Sequence, residues 1–291
     1  MSLVFAAIVP HGFPIIPDLS DDAEGGMKTR EAMFDFSKRL AATRPDVIVI
    51  ATPHGMRVEG MIALAAVARG AGSLTWEDRE IEMNIPVDLE FTDQIASAAR
   101  ERNLPIGMVG FAGNRRDQSV APLDWGIITP AWFAGHTRNL TGRGSVLAKA
   151  PEEDIAPPIV IVNPSRQLPY ESNVEFGRAV ADAARAGDKR VAFIASCDWG
   201  HCHKEDGPYG YNPESERVDN IVVQAIENQD LKSLMSLTEK ETSDAAIDGL
   251  WQTLMLEGFI EGTGASAELL SYEAPRYYGM IVATYDIPAG K

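Results

Sequence analysis

The chain has 291 residues, of which 45% are hydrophobic, 8% aromatic and 23% charged, and these proportions exclude a disordered, collagen-like or coiled-coil protein. With 26 Lys and Arg residues against 42 Asp and Glu residues, the net charge is −16, which argues against nucleic acid or an anionic membrane as a partner. The two cysteines do not form a secreted disulfide framework, and no apolar run approaches the ~18 residues of a membrane span, so we expect a cytoplasmic protein.

Short runs rich in Val, Ile and Ala alternate with longer segments of helical periodicity. The predicted strands are Leu3–Val9, Val47–Ala51, Ile62–Val67, Ile106–Gly110, Pro158–Asn163, Val191–Ser196 and Met280–Tyr285. The predicted helices are Glu24–Ala42, Asp88–Asn103, Ser172–Ala186, Ser215–Asn228 and Ser243–Glu261. Strands without strict polar alternation are typical of a sheet covered on both faces, and crossover helices favour parallel pairing. We therefore predict an α/β fold with a mostly parallel central sheet and helices on both faces, as one domain over residues 1–291.

Four of the five histidines follow predicted strands. The three segments concerned are Pro10-His11-Gly12, Pro53-His54-Gly55 and Cys197-Asp198-Trp199-Gly200-His201-Cys202-His203. Because the carboxyl ends of parallel strands meet at one edge of a sheet, we expect His11, His54, His201 and His203 to gather there. The fifth histidine, His136, has no such context and is expected to be a solvated loop residue.

A carboxylate is the usual third ligand of a metal that is bound by two neutral imidazoles. In the predicted helix Ser243–Glu261, Asp244 and Asp248 share one face with apolar residues, where an unpaired charge would be costly. Two interpretations stay open at this point. One carboxylate meets a cation, or both acids lie near the start of the helix, where they favour the helix dipole.

Other catalytic and metal-binding templates fit less well. Cys197, His201, Cys202 and His203 are too crowded for a closed structural zinc site, and no second Cys/His pair lies downstream. The chain has no nucleophile elbow, no H-E-x-x-H motif and no P-loop. A Cys–His nucleophile at Cys202 is an alternative, but it would leave the two Pro-His-Gly segments without a role.

Taken in this order, the motifs resemble the class III extradiol ring-cleavage dioxygenase superfamily, in its catalytic, protocatechuate 4,5-dioxygenase β-subunit-like domain. The resemblance spans essentially the whole chain. It rests on the two Pro-His-Gly segments and on the Ser-x-Asp-x-x-His turn from Ser196 to His201. The run Asp206–Tyr211 and the segment Leu270–Pro275 are also similar to members of this group. The resemblance implies an α/β sandwich around a central sheet.

By position, the resemblance implies that His11 and His54 bind a ferrous ion, with zinc or another divalent metal as the alternative. It also implies that His201 is the acid/base residue, with His203 as the alternative. The third ligand of the family is a Glu in the C-terminal helix, and the corresponding residue here is Asp248.

Asp244 is the runner-up for this third ligand. The Asp side chain is one methylene shorter than that of Glu. We expect this difference to change the geometry of a bound metal and the retention of iron. Many members carry a histidine near the substrate in a Leu-Asp-His-Gly segment, where this chain has Trp125. The residues that would contact a substrate under this resemblance are Trp125, Asp198, Tyr209, Tyr211 and Arg276.

The resemblance implies a non-haem Fe(II)-dependent extradiol dioxygenase of aromatic compound catabolism, which inserts O2 into a catechol-like or aminophenol-like ring and opens it. A homo-oligomer is the default expectation for its assembly, and some relatives have a small partner subunit. Two alternatives stay open. One is a Memo-like metal-binding protein of the same fold without ring cleavage, which the non-Glu third ligand favours. The other is a zinc-dependent hydrolase in which His11, His54 and Asp248 hold a water-activating zinc.

Overall fold

An eight-stranded sheet forms the centre of the molecule in a computed structural model, which describes residues 2–136 and 156–288. The strands are β1 (Leu3–Val9), β2 (Val47–Ala51), β3 (Ile62–Ala65), β4 (Arg69–Trp76), β5 (Arg79–Pro86), β6 (Ile106–Val109), β7 (Val120–Pro122), β8 (Ile159–Asn163), β9 (Val191–Ser196), β10 (Ser266–Glu273) and β11 (Met280–Asp286). The large sheet has the order β10-β11-β1-β9-β2-β8-β3-β6, and β5-β4-β7 form a separate three-stranded sheet.

The middle of the large sheet is parallel. β1, β9, β2 and β8 pair in parallel with one another, whereas β11 is antiparallel to β1 and β3 is antiparallel to β8. The predicted α/β fold with a mostly parallel sheet is therefore confirmed. The carboxyl ends of the four parallel strands lie side by side, so the loops that follow them share one edge.

Helices cover both faces of this sheet. They are α1 (Met27–Thr43), α2 (Leu89–Glu101), α3 (Trp125–Phe133), α4 (Tyr170–Ala186), α5 (Glu214–Glu227), α6 (Glu239–Asp244) and α7 (Leu250–Ile260). In β1, Ala6 and Ile8 join one apolar core with α2, α4, α5 and α7, while Phe5 and Ala7 join another with α1 and α3. This alternation follows from the two-residue period of a strand. Within residues 2–136 and 156–288, no helix has the length and apolar character needed to traverse a bilayer.

Helices α4 and α7 approach each other at two glycines. A Cβ placed on Gly177 would lie 1.9 Å from Met255 O, and one placed on Gly258 would lie 1.9 Å from Val174 O. No side chain larger than hydrogen fits at either position without moving a backbone. The two helices are therefore held in close contact, and this contact fixes the position of α7, which begins at residue 250.

The predicted helix Ser243–Glu261 was wrong, because this segment forms parts of two helices. α6 ends at Asp244 and α7 begins at Leu250, and Ala246 between them has a φ of 50°, in the left-handed region that interrupts a helix. α6 also has its own capping box, formed by Thr238 and Glu241. Asp244 and Asp248 therefore do not share a helix face.

The small sheet and the surroundings of His136 also differ from the sequence expectations, and β10 and α3 are further elements that were not predicted. The small sheet was not predicted, because β4 carries two glycines and these lower strand propensity. A Cβ at Gly72 would lie 2.1 Å from Leu123 O, so this strand needs glycine for packing.

His136 is fully buried rather than solvated, and its Nε2 lies 3.1 Å from Pro157 O, a contact that local sequence context does not reveal.

Candidate metal centre

Two imidazoles and one carboxylate converge at the carboxyl edge of the parallel strands. His11 Nε2 lies 3.2 Å from His54 Nε2 and 3.4 Å from Asp248 Oδ2, and His54 Nε2 lies 3.6 Å from the same oxygen. Three ligand atoms about 2.1 Å from one ion are roughly 3.0 Å apart at right angles and roughly 3.4 Å apart at tetrahedral angles. Two of the observed spacings lie in this range and the third, from His54 Nε2 to Asp248 Oδ2, exceeds it by 0.2 Å, so small shifts would bring the three donor atoms around a single divalent ion.

The two histidines are carried by the loops that follow two parallel strands on either side of β9. His11 follows β1, and His54 follows β2. Asn163, the last residue of β8, donates from Nδ2 to Thr52 O at 2.9 Å and also to His54 O. This side chain therefore holds the His54 loop against the next strand.

A hydroxyl group sets the tautomer of His11. Ser196 Oγ donates its hydrogen to Gly126 O at 2.6 Å, so it accepts from His11 Nδ1 at 3.1 Å. In the neutral ring the proton is therefore on Nδ1, which leaves the lone pair of Nε2 directed towards His54 and Asp248. Thr129 Oγ1 donates to the backbone carbonyl of His11 at 2.9 Å and fixes the main chain.

The Asp248 carboxylate is held so that one oxygen faces the histidines. Asp198 N donates to Asp248 Oδ1 at 3.0 Å, while Oδ2 faces His11 and His54 and lies 3.8 Å from His201 Nε2. Burial by itself would raise the pKa of Asp248, but the histidines hold it well below its usual range. Asp248 is therefore an anionic ligand candidate at neutral pH.

Asp244 lies elsewhere. Its side chain is 38% exposed and pairs with Lys240 one turn earlier on α6. The structure thus brings Asp248, and not Asp244, to the histidines.

A second buried carboxylate, Asp198, also faces His11. Its Oδ2 lies 3.3 Å from His11 Nε2, and its Oδ1 accepts from His11 N at 3.1 Å. Burial raises the pKa of Asp198, and the charge of Asp248 adds to this effect although His11 opposes it. Two carboxylates around one imidazole nitrogen favour a cation at this position, either a proton or a metal ion.

Aromatic rings surround His201. The centroids of Tyr209, Tyr277 and Tyr278 lie 5.6, 6.0 and 6.0 Å from the centroid of its imidazole. Its Nδ1 is buried without a hydrogen-bond partner among the described residues, so the accessible part of the ring is the Nε2 edge. Tyr278 was not found from the sequence. It packs against Gly12, where a Cβ would lie 2.5 Å from the Tyr278 hydroxyl oxygen.

A cavity of about 630 Å3 is lined by two of the three donor residues, His54 and Asp248, and this volume is enough for one substituted aromatic ring. Its lining also includes His201 and Tyr209. Two arginines that the sequence analysis did not single out, Arg57 and Arg166, also line it. The Trp125 ring contacts His54 with a centroid separation of 4.8 Å and is 39% exposed. The site therefore combines charged donor atoms with aromatic faces.

The family model for the catalytic LigB subunit of aromatic ring-opening dioxygenase matches residues 6–283 of this chain. The chain belongs to the LigB family. It is 26% identical over 275 residues to Protein CA_C1420 of Clostridium acetobutylicum, and the match covers 94% of this chain and 55% of that protein. The chain thus spans about half the length of this curated relative.

A solved structure has the same fold. The uncharacterized protein JW3007 from Escherichia coli K12 aligns with a TM-score of 0.58 at 15% identity, over 97% of this chain and 99% of that chain. At this level of identity the likeness concerns the fold of the LigB-family chain and not its activity.

Three residues expected at the site from the resemblance to class III extradiol dioxygenases make other contacts. His203 Nε2 lies 2.8 Å from Asp219 Oδ2, so this histidine pairs with Asp219 and does not join His11, His54 and His201. Arg276 pairs with Glu24 at 3.2 Å. Tyr211 is 57% exposed and forms a backbone bridge with His203.

The cysteines offer no catalytic nucleophile in this LigB-family site. Both are free and buried. Burial raises the pKa of the Cys197 thiol well above its usual range, which disfavours the thiolate. Cys202 is not among the residues that line the cavity.

Proposed function

We propose that this LigB-family protein is an iron(II)-dependent extradiol dioxygenase that opens a catechol-like or aminophenol-like ring. The observation that supports this most directly is the convergence of His11 Nε2, His54 Nε2 and Asp248 Oδ2 beside the cavity that His201 lines. Iron(II), which His11, His54 and Asp248 would hold, would supply the Lewis-acid and redox chemistry needed for the reaction of the aromatic ring with O2.

The residues around the donors orient them. Ser196 holds the imidazole of His11 through Nδ1, Asn163 holds the loop of His54, and the backbone of residue 198 holds one oxygen of Asp248. Preorganised donors of this kind need no rearrangement when a ligand binds.

His201 is suited to proton transfer. Its accessible Nε2 edge faces the cavity and lies 3.8 Å from Asp248 Oδ2, beyond hydrogen-bond distance. A neutral imidazole at this position takes the proton of a substrate hydroxyl group at Nε2 and returns it to the ring-opened product. Trp125 beside His54 and Tyr209 beside His201 offer aromatic faces to a flat ring.

The proposal is tested by metal content and oxygen uptake after ferrous reconstitution, with a panel of catechols and aminophenols. We expect His54→Ala to lose the metal, and His201→Ala to keep it but lose about 10²–10⁴-fold in turnover. Asp248→Asn is expected to lose metal, whereas the chemically identical change Asp244→Asn is the matched control and keeps it.

Three results would contradict the proposal. Equal metal content in the wild type and His54→Ala would refute the ligand assignment. Bound metal without oxygen uptake on any ring would favour the Memo-like alternative. Zinc-dependent hydrolysis without oxygen uptake would favour the hydrolase.

A further inference from the structure

A buried glutamine connects the two sides of the candidate metal centre. Gln252 is fully buried in the first turn of α7, and its Nε2 donates to Ser196 O at 2.8 Å and to Asp248 O at 2.9 Å. Ser196 is the last residue of β9, whereas Asp248 lies in the turn before α7. The two hydrogens of one amide group therefore join the main chain of the sheet to the main chain that leads into the helix.

Both carbonyl groups belong to residues whose side chains act at the centre. Ser196 Oγ accepts from Nδ1 of His11, and Asp248 Oδ2 faces the Nε2 atoms of His11 and His54. Because the two carbonyl oxygens bind the same nitrogen, the main chains that carry these side chains are held at one separation. Gln252 is not among the residues that line the cavity, so its influence on the donor atoms passes through these two main-chain contacts.

The contact requires an amide side chain. Both partners are carbonyl oxygens, so the NH2 side of the amide must face them. Its Oε1 is left buried and has no hydrogen-bond partner within the part of the chain that the structure describes. A buried oxygen without a partner is unfavourable, and an apolar side chain would fill the same space without it. The property that this position uses is therefore the pair of donor hydrogens.

We propose that Gln252 is a positioning residue of the metal centre, which places the Asp248 carboxylate against the imidazoles of His11 and His54 by tying residue 248 to the end of β9. Gln252 does not bind the metal itself. The inference rests on the ligand assignment in the proposed function, but not on ring opening. Hydrogen bonds that orient metal ligands typically contribute about 10–100-fold in metal affinity.

Metal binding tests this role without turnover. Gln252→Met keeps the approximate size of the side chain and removes both donor hydrogens. We expect this variant to bind zinc about 10–100-fold more weakly in titrations of the full chain against a competing chelator. The visible absorption of the cobalt-loaded protein reports the number and arrangement of the ligands, and we expect it to change in the same variant. A residue that only stabilises the fold would leave this spectrum as it is in the wild type.

Two further variants separate positioning from stability. Thr253→Val is the matched control, because it removes the fully buried hydroxyl group of the next residue on α7, which lies 3.5 Å from Cys197 Sγ. We expect it to unfold at a lower temperature but to keep the zinc affinity and the cobalt spectrum of the wild type. Gln252→Asn keeps a buried amide that is one methylene too short to reach both carbonyl groups. It is expected to weaken zinc binding, and it decides the test if Gln252→Met does not fold.

Three results would overturn the proposal. The first is a Gln252→Met or Gln252→Asn protein with the zinc affinity and cobalt spectrum of the wild type. The second is an equal loss of zinc affinity in Thr253→Val. The third is equal zinc affinity in the wild type and Asp248→Asn, which would also refute the ligand assignment.

The failure of this inference and the failure of the proposed function give different results. If the Gln252 variants lose zinc affinity but the iron-loaded wild type opens no ring, the positioning role stands and the dioxygenase proposal fails. If the wild type opens a ring and the Gln252 variants bind zinc as tightly as the wild type, the dioxygenase proposal stands and the positioning role fails.

Discussion

Replacing Ser196 with alanine tests how far the candidate metal centre depends on the residue that orients His11. Ser196 is fully buried, and its hydroxyl group bridges His11 Nδ1 and Gly126 O. Without the hydroxyl, both groups lose their partner, at a cost of about 1–3 kcal/mol each. The imidazole would also lose its orientation, and we expect metal affinity to fall about 10–100-fold.

The matched control is Thr129→Val, which removes a buried hydroxyl group bonded to the main chain of His11 instead of its ring. Thermal unfolding of the metal-free proteins is expected to show a loss of stability in both variants. Zinc titration against a competing chelator is expected to show weaker binding in Ser196→Ala alone. If the two variants bound zinc with equal affinity, the role of Ser196 as the orienting partner of His11 would be refuted.

Two more predictions concern the helix contact and the titration of the site. Gly258→Ala is expected to lower the free energy of unfolding by about 3 kcal/mol, because its Cβ would lie 1.9 Å from Val174 O. Denaturant unfolding checks this against Gly187→Ala, whose Cβ would lie 3.8 Å from the nearest atom, and equal losses would contradict the packing argument. In the metal-free protein, burial alone would lower the pKa of His11, but Asp198 and Asp248 raise it from 6.5 to about 9. The protonated ring thus stabilises the fold fully below about pH 6.5 and loses this effect as the pH rises through about 9. Because a metal must displace this proton, zinc affinity should rise about tenfold from pH 7 to pH 8, and chelator-competition titrations showing no rise would contradict this.

The strand-end histidines could be predicted because their signal is local. β1, β2 and β9 were predicted with the bounds that the structure shows, since their apolar runs are continuous and end at Pro or at polar residues. Given parallel strands, the meeting of His11, His54 and His201 then follows from topology alone. His203 is two residues further along, and its pairing with Asp219 depends on α5, which its own segment does not reveal.

The position of Asp248 could not be derived from helical periodicity. The sequence analysis placed this residue on a helix face, whereas the structure places it in the turn before α7, where backbone N–H donation from Asp198 orients it. The hydrogen bond between Ser196 and Gly126 could not be predicted from the sequence, because the two residues are 70 positions apart in the chain. Arg57 and Arg166 were missed for a related reason, since only the pairing of β2 with β8 brings their loops together.

The three donor atoms belong to two different layers of the molecule. The imidazoles of His11 and His54 are attached to the sheet, whereas Asp248 leads directly into a helix that rests on α4 through Gly177 and Gly258. A shift of α7 along α4 would move the carboxylate away from the imidazoles, and the close backbone contact between the two helices opposes such a shift. In a relative with side chains at these two glycines, α7 would be displaced. Such a relative would need a longer acidic side chain, or an acidic residue at another position, to place a carboxylate oxygen beside the two imidazoles.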